Sequence, residues 1–281
     1  MFLDVLSDTI LDGVKLFPFL LLTYLLMEYI EHKAGGKAEN FVKKSGRLGP
    51  IIGGILGVVP QCGFSAAAAN FYAGRMITLG TLISIFLSTS DEMLPILISE
   101  QVSPLLIIKI LGIKIVIGIV AGFIIDFILH SRGKEQSGLR IDHMCDHEHC
   151  HCDEQSIFRS ALVHTIQVFV FILVISLVLN LLIAIVGEEQ LGAFITSEPT
   201  LGVLLSGLIG LIPNCAASVV ITQLYLEGLL SMGAMMAGLL VGSGVGLLVL
   251  FRVNENMKEN LKITVILYGI GVICGLLLEL F

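Results

Sequence analysis

Two short motifs hold a cysteine between a proline and a serine at matched positions in the two halves of the chain. The first reads Pro60-Gln-Cys-Gly-Phe-Ser65, and the second, 153 positions later, reads Pro213-Asn-Cys-Ala-Ala-Ser218. A cysteine thiolate is a soft ligand for zinc, cuprous copper or trivalent arsenic, although many apolar-segment cysteines only fill space. Because these two cysteines recur together with polar neighbours, we expect them to bind a ligand. The candidates in and after the motifs are Gln61, Cys62, Ser65, Asn70, Asn214, Cys215, Ser218 and Gln223.

A second candidate group combines two adjacent carboxylates, Asp91 and Glu92, with the preceding Ser90 inside a hydrophobic segment. Ionisable residues at such a depth are costly and indicate function. These carboxylates could bind a cation, carry a coupling proton or form a structural pair with Lys114. Further coupling or gating candidates in apolar segments are Asp12, Glu28, Lys114 and His164.

A dense run of histidines and cysteines lies near the middle of the chain. Its metal-ligand candidates are His143, Cys145, His147, His149, Cys150, His151 and Cys152. Short tracts of this composition bind transition metals, and thiols remain free in a reducing cytoplasm. The spacing matches no standard zinc finger, so we expect a flexible chelating segment; a merely solvated loop is the alternative. We expect no permanently bound cofactor, and a transition-metal ion as cargo or as a ligand of this segment.

The composition of the chain indicates the environment that surrounds these residues. The chain has 281 residues, of which 56% are hydrophobic and 14% charged, whereas soluble domains carry about 25% charged residues. Several apolar runs reach the roughly 20 residues that a helix needs to cross a bilayer. The first run lacks a basic leader and a cleavage site, which predicts a mature span. A nucleic-acid partner and a nucleotide-driven pump have no supporting motif.

The chain repeats itself beyond the two cysteine motifs. The same offset aligns Gly80 with Gly233, Ser90 with Ser243, and Asp126 with Glu279. A fixed internal offset is the signature of a repeated structural unit. We therefore predict three parts: a transmembrane repeat at residues 1–130, a cytoplasmic linker at 131–159, and a second repeat at 160–281.

The distribution of lysine and arginine predicts that the two copies are inverted. Residues 33–47 carry five basic residues, whereas the equivalent residues 187–200 carry none. Cytoplasmic loops collect basic residues, and all the basic loops lie on one side if residues 49–73 form a re-entrant hairpin. An alternative makes residues 49–73 a single crossing, which would place Arg75 outside.

The predicted fold is therefore an all-α integral membrane protein with two inverted repeats. Each repeat has three transmembrane helices plus a re-entrant or broken helical hairpin. Inverted repeats with broken helices place the substrate near the membrane midplane, between the halves. Proline breaks a helix, so the cysteine motifs would form the hairpin tips. A second break is expected at residues 87–92 and at its counterpart, 242–246.

The paired cysteine motifs resemble those of a heavy-metal exporter family with ten transmembrane segments. The opening segments Leu16-Phe-Pro-Phe-Leu20 and Tyr24-Leu-Leu-Met-Glu-Tyr-Ile-Glu-His32 and the histidine-rich linker carry the same resemblance. That family is also described as arsenic-efflux-like or as a manganese transporter. The resemblance implies an exporter whose ten segments are six crossings and four hairpin arms. By position it points to Cys62, Cys215, Asp91 and Glu92.

The leading functional prediction is a secondary active exporter of a divalent transition-metal cation, driven by proton exchange in the cytoplasmic membrane. One alternative is a permease for arsenite or an organoarsenical, and another is a membrane metal-sensing subunit. An enzyme is not expected, because the motif nucleophiles have no histidine within their own hairpins. Expected partners are the lipid bilayer, a metal ion or metalloid, and protons; a homodimer remains open.

Overall fold

The computed structural model describes residues 48–60, 62–131, 157–186 and 199–280, together with part of residues 9–25. Every regular element in these residues is helical, which confirms the all-α prediction for the described part of the chain. The helices of the first half are α1 (Gly49–Gly57), α2 (Cys62–Ala73), α3 (Leu79–Ser88), α4 (Met93–Ser99) and α5 (Pro104–Ser131). They are followed by α6 (Ile157–Val186), α7 (Pro199–Gly210), α8 (Cys215–Leu226), α9 (Met232–Val241), α10 (Gly246–Val253) and α11 (Met257–Glu279).

The helix boundaries recur at the offset of the sequence repeat. Helices α8 to α11 each begin 153 positions after α2 to α5, and α1 and α7 end at Gly57 and Gly210, again 153 apart. Equivalent residues therefore start equivalent helices in the two halves.

Matched hydroxyl and carboxylate groups fix where α3 and α9 begin. Thr78 caps α3 and Ser231 caps α9, each by accepting a hydrogen bond from the backbone N–H three residues later. The Thr78 hydroxyl donates to Asp126 at 2.7 Å, and the Ser231 hydroxyl donates to Glu279 at 2.6 Å. Such caps satisfy backbone donors that a helix start leaves unpaired. The carboxylates also hold the start of one helix against the end of another.

Glycines allow the helices of the first half to pack closely. A Cβ on Gly49 would overlap the Thr81 side chain, and one on Gly57 would overlap Ser88. The start of α1 therefore contacts the start of α3, and the end of α1 contacts the end of α3, so the two helices run parallel. Small residues permit this close approach of two backbones, as is common in membrane bundles.

Helices α1 and α2 form a hairpin whose tip lies against the end of α3. The Ser90 hydroxyl donates a hydrogen bond of 2.5 Å to the carbonyl of Val58 at that tip. Because α1 runs parallel to α3 and α2 leads into the turn before α3, both ends of the hairpin lie near the start of α3. In the second half, Gly210 at the end of α7 packs in the same way against Gly238 of α9 and Gly242 just after it.

The two halves are interleaved. Helix α2 packs along α10, and α8 packs against α4, so each hairpin contacts a helix of the other half. Gly246 at the start of α10 meets Ser65 near the start of α2. Tyr72 near the end of α2 donates a hydrogen bond to Glu259, just beyond α10. Helices α2 and α10 therefore run in the same direction.

Five helical segments among the described residues are long and apolar enough to cross a membrane. They are Leu79–Ser99, Pro104–Ser131, Ala161–Val178, Met232–Val253 and Met257–Glu279. Two of them contain the breaks between α3 and α4 and between α9 and α10. The shorter apolar helices include the arms α7 and α8. Large apolar side chains such as Leu105, Val116 and Phe127 point outward, where lipid would cover them.

Candidate functional site

The helix breaks of the two halves meet inside the protein. Asp91 lies between α3 and α4, and its repeat counterpart Gly244 lies between α9 and α10. Both have left-handed backbones, with φ of 28° and 53°. A Cβ on Gly244 would overlap Oδ2 of Asp91 and lie 3.1 Å from its Cγ. The Asp91 carboxylate is therefore in direct contact with the backbone of the second half.

Lys114 of α5 supplies a positive charge at the same junction. Its side chain is fully buried, and Nζ donates a hydrogen bond of 2.5 Å to the carbonyl of Leu239. That carbonyl is in the last turn of α9, where helix carbonyls lack partners within their own helix. A buried acid and a buried base from the first half thus both contact the broken helix of the second.

Hydroxyl groups line the first break, but they bind backbone carbonyls. Ser88 donates to Ser84 at 2.8 Å, and Thr89 donates to Ile85 at 2.8 Å. Ser90, predicted as a ligand, joins the break to the tip of the α1–α2 hairpin by its hydrogen bond to Val58. Its oxygen keeps acceptor capacity, because a hydroxyl has two lone pairs.

The two cysteine motifs begin the second arms of the hairpins. Ser65 is buried beside Gly246, whose Cβ, if present, would lie 2.7 Å from Cβ of Ser65. In the second motif, Asn214 caps α8 by accepting from the Ala216 N–H at 3.3 Å. The Cys215 thiol is buried next to this cap. The Ser218 hydroxyl donates to the Cys215 carbonyl at 2.7 Å.

Comparison with known proteins identifies the family. Residues 1–188 match the model of a family described as "Putative, 10TM heavy-metal exporter". The chain belongs to this family. No curated protein and no solved structure matches the chain. The resemblance inferred from the cysteine motifs is thereby confirmed, and the match covers two thirds of the chain.

As a member of the 10TM heavy-metal exporter family with several apolar spanning helices, the chain is a multi-pass membrane protein. The matched residues include the first cysteine motif, the Asp91 break and Lys114. They end at residue 188, just after α6. The contact surfaces on Leu239 and Gly244 lie outside the match, in the rest of the chain.

Three other predicted site residues lie in different surroundings. Glu92 is half-buried at the start of α4 and forms no capping hydrogen bond with its side chain. Asn70 is fully buried and accepts a hydrogen bond of 3.0 Å from the Tyr24 hydroxyl. Gln223 is exposed on α8, five residues beyond the second motif.

Several predicted residues lie outside the described part of the chain. They are Asp12, Glu28, Gln61 and the seven linker candidates from His143 to Cys152. Cys62 begins α2 and His164 lies in α6, but their side chains are outside the description. Among the residues described, no three His, Cys, Asp or Glu side chains form a group that could hold a metal ion.

One polar cluster was missed by sequence reasoning. The Arg75 guanidinium forms two hydrogen bonds of 3.0 Å with the two carboxylate oxygens of Glu259. The Tyr72 hydroxyl donates to the same carboxylate, and the guanidinium lies 5.2 Å from the Tyr72 ring centre. Burial disfavours the charge of Arg75, but the hydrogen bonds and the charge of Glu259 outweigh burial and raise the pKa of the guanidinium. In the sequence, Arg75 indicated only the membrane topology. Its pairing with Glu259 could not be predicted, because the two residues lie 184 positions apart.

Proposed function

We propose that this chain is a secondary active transporter that exports a divalent transition-metal cation in exchange for protons. The observation that carries the proposal is the meeting of the two helix breaks at Asp91 and Gly244. Broken helices that face each other between two halves form the binding sites of many transporters. A buried carboxylate at such a junction can hold a cation and lose it again to a proton.

We infer that the two halves are inverted repeats in the cytoplasmic membrane, with residues 131–159 on the cytoplasmic side. Contacts at Arg75 support this. The α3–α4 segment starts just after Arg75 and runs away from it. The equivalent α9–α10 segment ends just before Glu259, the partner of Arg75. Equivalent segments therefore run in opposite directions, as inversion requires.

The path of the α1–α2 hairpin favours a re-entrant hairpin, which enters and leaves on the same side of the membrane, and disfavours a single crossing. Both of its ends lie near the start of α3, and its tip contacts the break at Ser90. Two such hairpins supply four arms, and six crossings complete the ten segments of the family. The sixth crossing is the predicted span near residues 16–30, which the structure describes only in part.

In the proposed cycle, metal is captured by the histidine- and cysteine-rich linker and passes to the junction of the breaks. Asp91 and Glu92 supply carboxylate oxygens, and Cys62 and Cys215 supply soft thiolates near the tips. Rocking of one half against the other then exposes the junction to the opposite side. Protons arriving from that side replace the metal.

One observation favours a second candidate, a permease for arsenite or an organoarsenical. The buried Lys114 ammonium contacts the same broken helix segment as Asp91, and a positive charge there disfavours an additional cation. The starts of α2 and α8 at the tips would also favour an anion, because helix N-termini attract negative charge. Thiols would bind trivalent arsenic.

Transport into proteoliposomes distinguishes these candidates. The purified chain is reconstituted with a pH gradient and offered manganese, zinc, cobalt, arsenite and methylarsenite separately. We expect a divalent metal to move with proton counterflow, and Asp91→Asn to lower that rate at least tenfold. Glu92→Gln should also lower it, whereas Glu100→Gln, at an exposed carboxylate after α4, should not.

Two results would count against the proposal. Unchanged transport by both Asp91→Asn and Glu92→Gln would eliminate the carboxylate mechanism. Transport of arsenicals but of no divalent metal would contradict the metal-exporter proposal and support the arsenical permease.

A further inference from the structure

Helices α2 and α10 lead from the junction of the two helix breaks to the Arg75 cluster, which consists of Tyr72, Arg75 and Glu259. Beside the junction, Ser65 of α2 meets Gly246 at the start of α10. Seven residues further along α2, Tyr72 binds Glu259 just beyond α10, which is roughly 10 Å away at 1.5 Å of rise per residue. The cluster therefore lies at the far end of the same helix pair. Separation of the two helices there would open a route to the junction.

The end of α2 is buried, whereas the equivalent end of α8 is exposed. Tyr72 and Gly74 of the first half are buried. Their counterparts in the second half are Tyr225, which is half-buried, and Glu227, which is exposed. Helix α2 also shares a more extensive interface with α10 than α8 shares with the equivalent helix, α4. The two halves therefore make the same contact tightly at one end of the molecule and loosely at the other.

Arg75 occupies a backbone position that favours glycine. Its φ is 60°, and its repeat counterpart is Gly228, with a φ of 75°. The left-handed conformation is unfavourable for every residue with a Cβ, so the turn by itself would be more stable with glycine. The counterpart of Glu259 is Leu106, and the second half therefore cannot form this ion pair at the equivalent contact. The first half keeps an arginine at a conformational cost, and the pairing with Glu259 accounts for it.

We propose that the Arg75 cluster is a latch that closes the transport path at one end, the end that faces the cytoplasm in the proposed topology. This inference rests on the proposed transport function and specifies what controls access to the junction from that side. The guanidinium binds both carboxylate oxygens of Glu259 at 3.0 Å, and the two side chains are 11% and 21% exposed. Bidentate pairs of this kind are strong and directional, and partners near the surface can be solvated when they separate. The latch is closed in this structure, and it opens when the halves rock apart at this end.

Ala69 provides a buried reporter position between the junction and the latch. It lies one turn after Ser65 and one turn before Tyr72 on the same face of α2, because residues three and four apart on a helix are neighbours. Both Ala69 and its counterpart on α8, Thr222, are fully buried, so Thr222 serves as the matched control in the second half. A cysteine at either position reports access of a membrane-impermeant maleimide. Peptide mass spectrometry distinguishes it from the native cysteines.

Each reporter is combined with the intact latch and with two latch variants: Arg75→Gly, which copies the second half, and Glu259→Gln, which keeps the shape of the side chain. The full chain is labelled in vesicles of both orientations. We expect Ala69→Cys to react at least tenfold faster from the cytoplasmic side in both latch variants, and no faster from the opposite side. Thr222→Cys should react no faster in either variant, whereas general loosening of the fold would accelerate both reporters.

Transport supplies a second measurement. In proteoliposomes offered manganese or zinc, both latch variants should lower the rate at least threefold, because the path no longer closes on one side before it opens on the other. Lys258→Gln, at an exposed neighbour of Glu259, should leave labelling and transport unchanged. Size-exclusion profiles check that each variant remains folded. If Arg75→Gly does not, Glu259→Gln decides both measurements.

The outcomes distinguish the latch from the transport proposal. Labelling of Ala69→Cys that is unchanged in the latch variants, that rises equally from the two sides, or that rises together with Thr222→Cys would overturn the latch. Unchanged metal transport in the latch variants would do the same, and in each case transport by the unmodified protein would stand. Absence of transport for every metal and arsenical tested would overturn the transport proposal itself.

Discussion

Replacing Gly244 by alanine tests the contact between the two helix breaks directly. The backbone of Gly244 has a φ of 53°, and an added Cβ would overlap Oδ2 of Asp91. Two effects therefore lower the free energy of unfolding in this variant. Alanine adopts the left-handed conformation poorly, and its Cβ displaces the Asp91 carboxylate from its contact with the backbone. Gly228 provides the control, because its φ is 75° and an added Cβ would meet no atom within 4 Å.

The two effects contribute separately. The left-handed conformation costs a non-glycine residue about 1–2 kcal/mol, and Gly228→Ala should lower the free energy of unfolding by that amount alone. Inserting an extra methyl group into a well-packed site typically costs about 1–3 kcal/mol, which would be added because the Asp91 carboxylate must move. We therefore expect Gly244→Ala to lose about 1–3 kcal/mol more than Gly228→Ala.

Thermal unfolding of the detergent-purified variants measures this difference. Combining Gly244→Ala with Asp91→Gly removes the overlapping carboxylate, so most of the additional loss should be recovered in the double variant. Such non-additivity identifies direct contact between two residues. Equal losses for Gly244→Ala and Gly228→Ala, or simple additivity with Asp91→Gly, would refute the assignment of Asp91 to the backbone of the second half.

Three further predictions concern the ends of the molecule and its linker. Glu259→Gln should lower the free energy of unfolding by about 1–3 kcal/mol, because it weakens charge-assisted hydrogen bonds to Arg75 and Tyr72. Lys258→Gln, at an exposed neighbour, should change it by less than about 0.5 kcal/mol in the same thermal assay, and equal effects would argue against the cluster. Cysteines introduced at positions 40 and 190 should be labelled from opposite sides of the membrane; labelling from one side contradicts the inverted arrangement. Deleting residues 143–154 should weaken metal capture in cells but preserve transport in proteoliposomes, and complete loss there would show that the linker belongs to the transport path.

The Arg75 cluster gives the proposed transport cycle a structural consequence. Its members join the end of the first hairpin to the start of α11, so they connect the two halves at one end of the molecule. Rocking of the halves about the junction must therefore open or rotate this contact. A hydrogen-bonded ion pair suits that task, because its partners can be solvated when they separate, whereas an apolar contact would expose surface to water.

The repeat shows how far local sequence determined the fold. The offset read from the cysteine motifs also gave the starts of α8 to α11, because proline, caps and apolar run lengths are local signals. The break after Ser88 was predicted from its polar residues for the same reason. The hydrogen bond from Ser90 to Val58 could not be predicted from the sequence. It depends on how the tip of the α1–α2 hairpin packs against the end of α3.

The sequence alone determined that this protein is helical, membrane-spanning and internally repeated, because composition and the lengths of apolar runs encode burial in lipid. Its cysteine motifs and opening segments carried the resemblance to the 10TM heavy-metal exporter family. It also singled out Asp91 and Lys114 by their cost in an apolar segment. Only the tertiary structure decided that Asp91 rests on Gly244, that Lys114 reaches Leu239, and that Arg75 pairs with Glu259. Each of these contacts joins one half to the other, and the docking of two halves depends on the fit of whole surfaces, which no local pattern specifies.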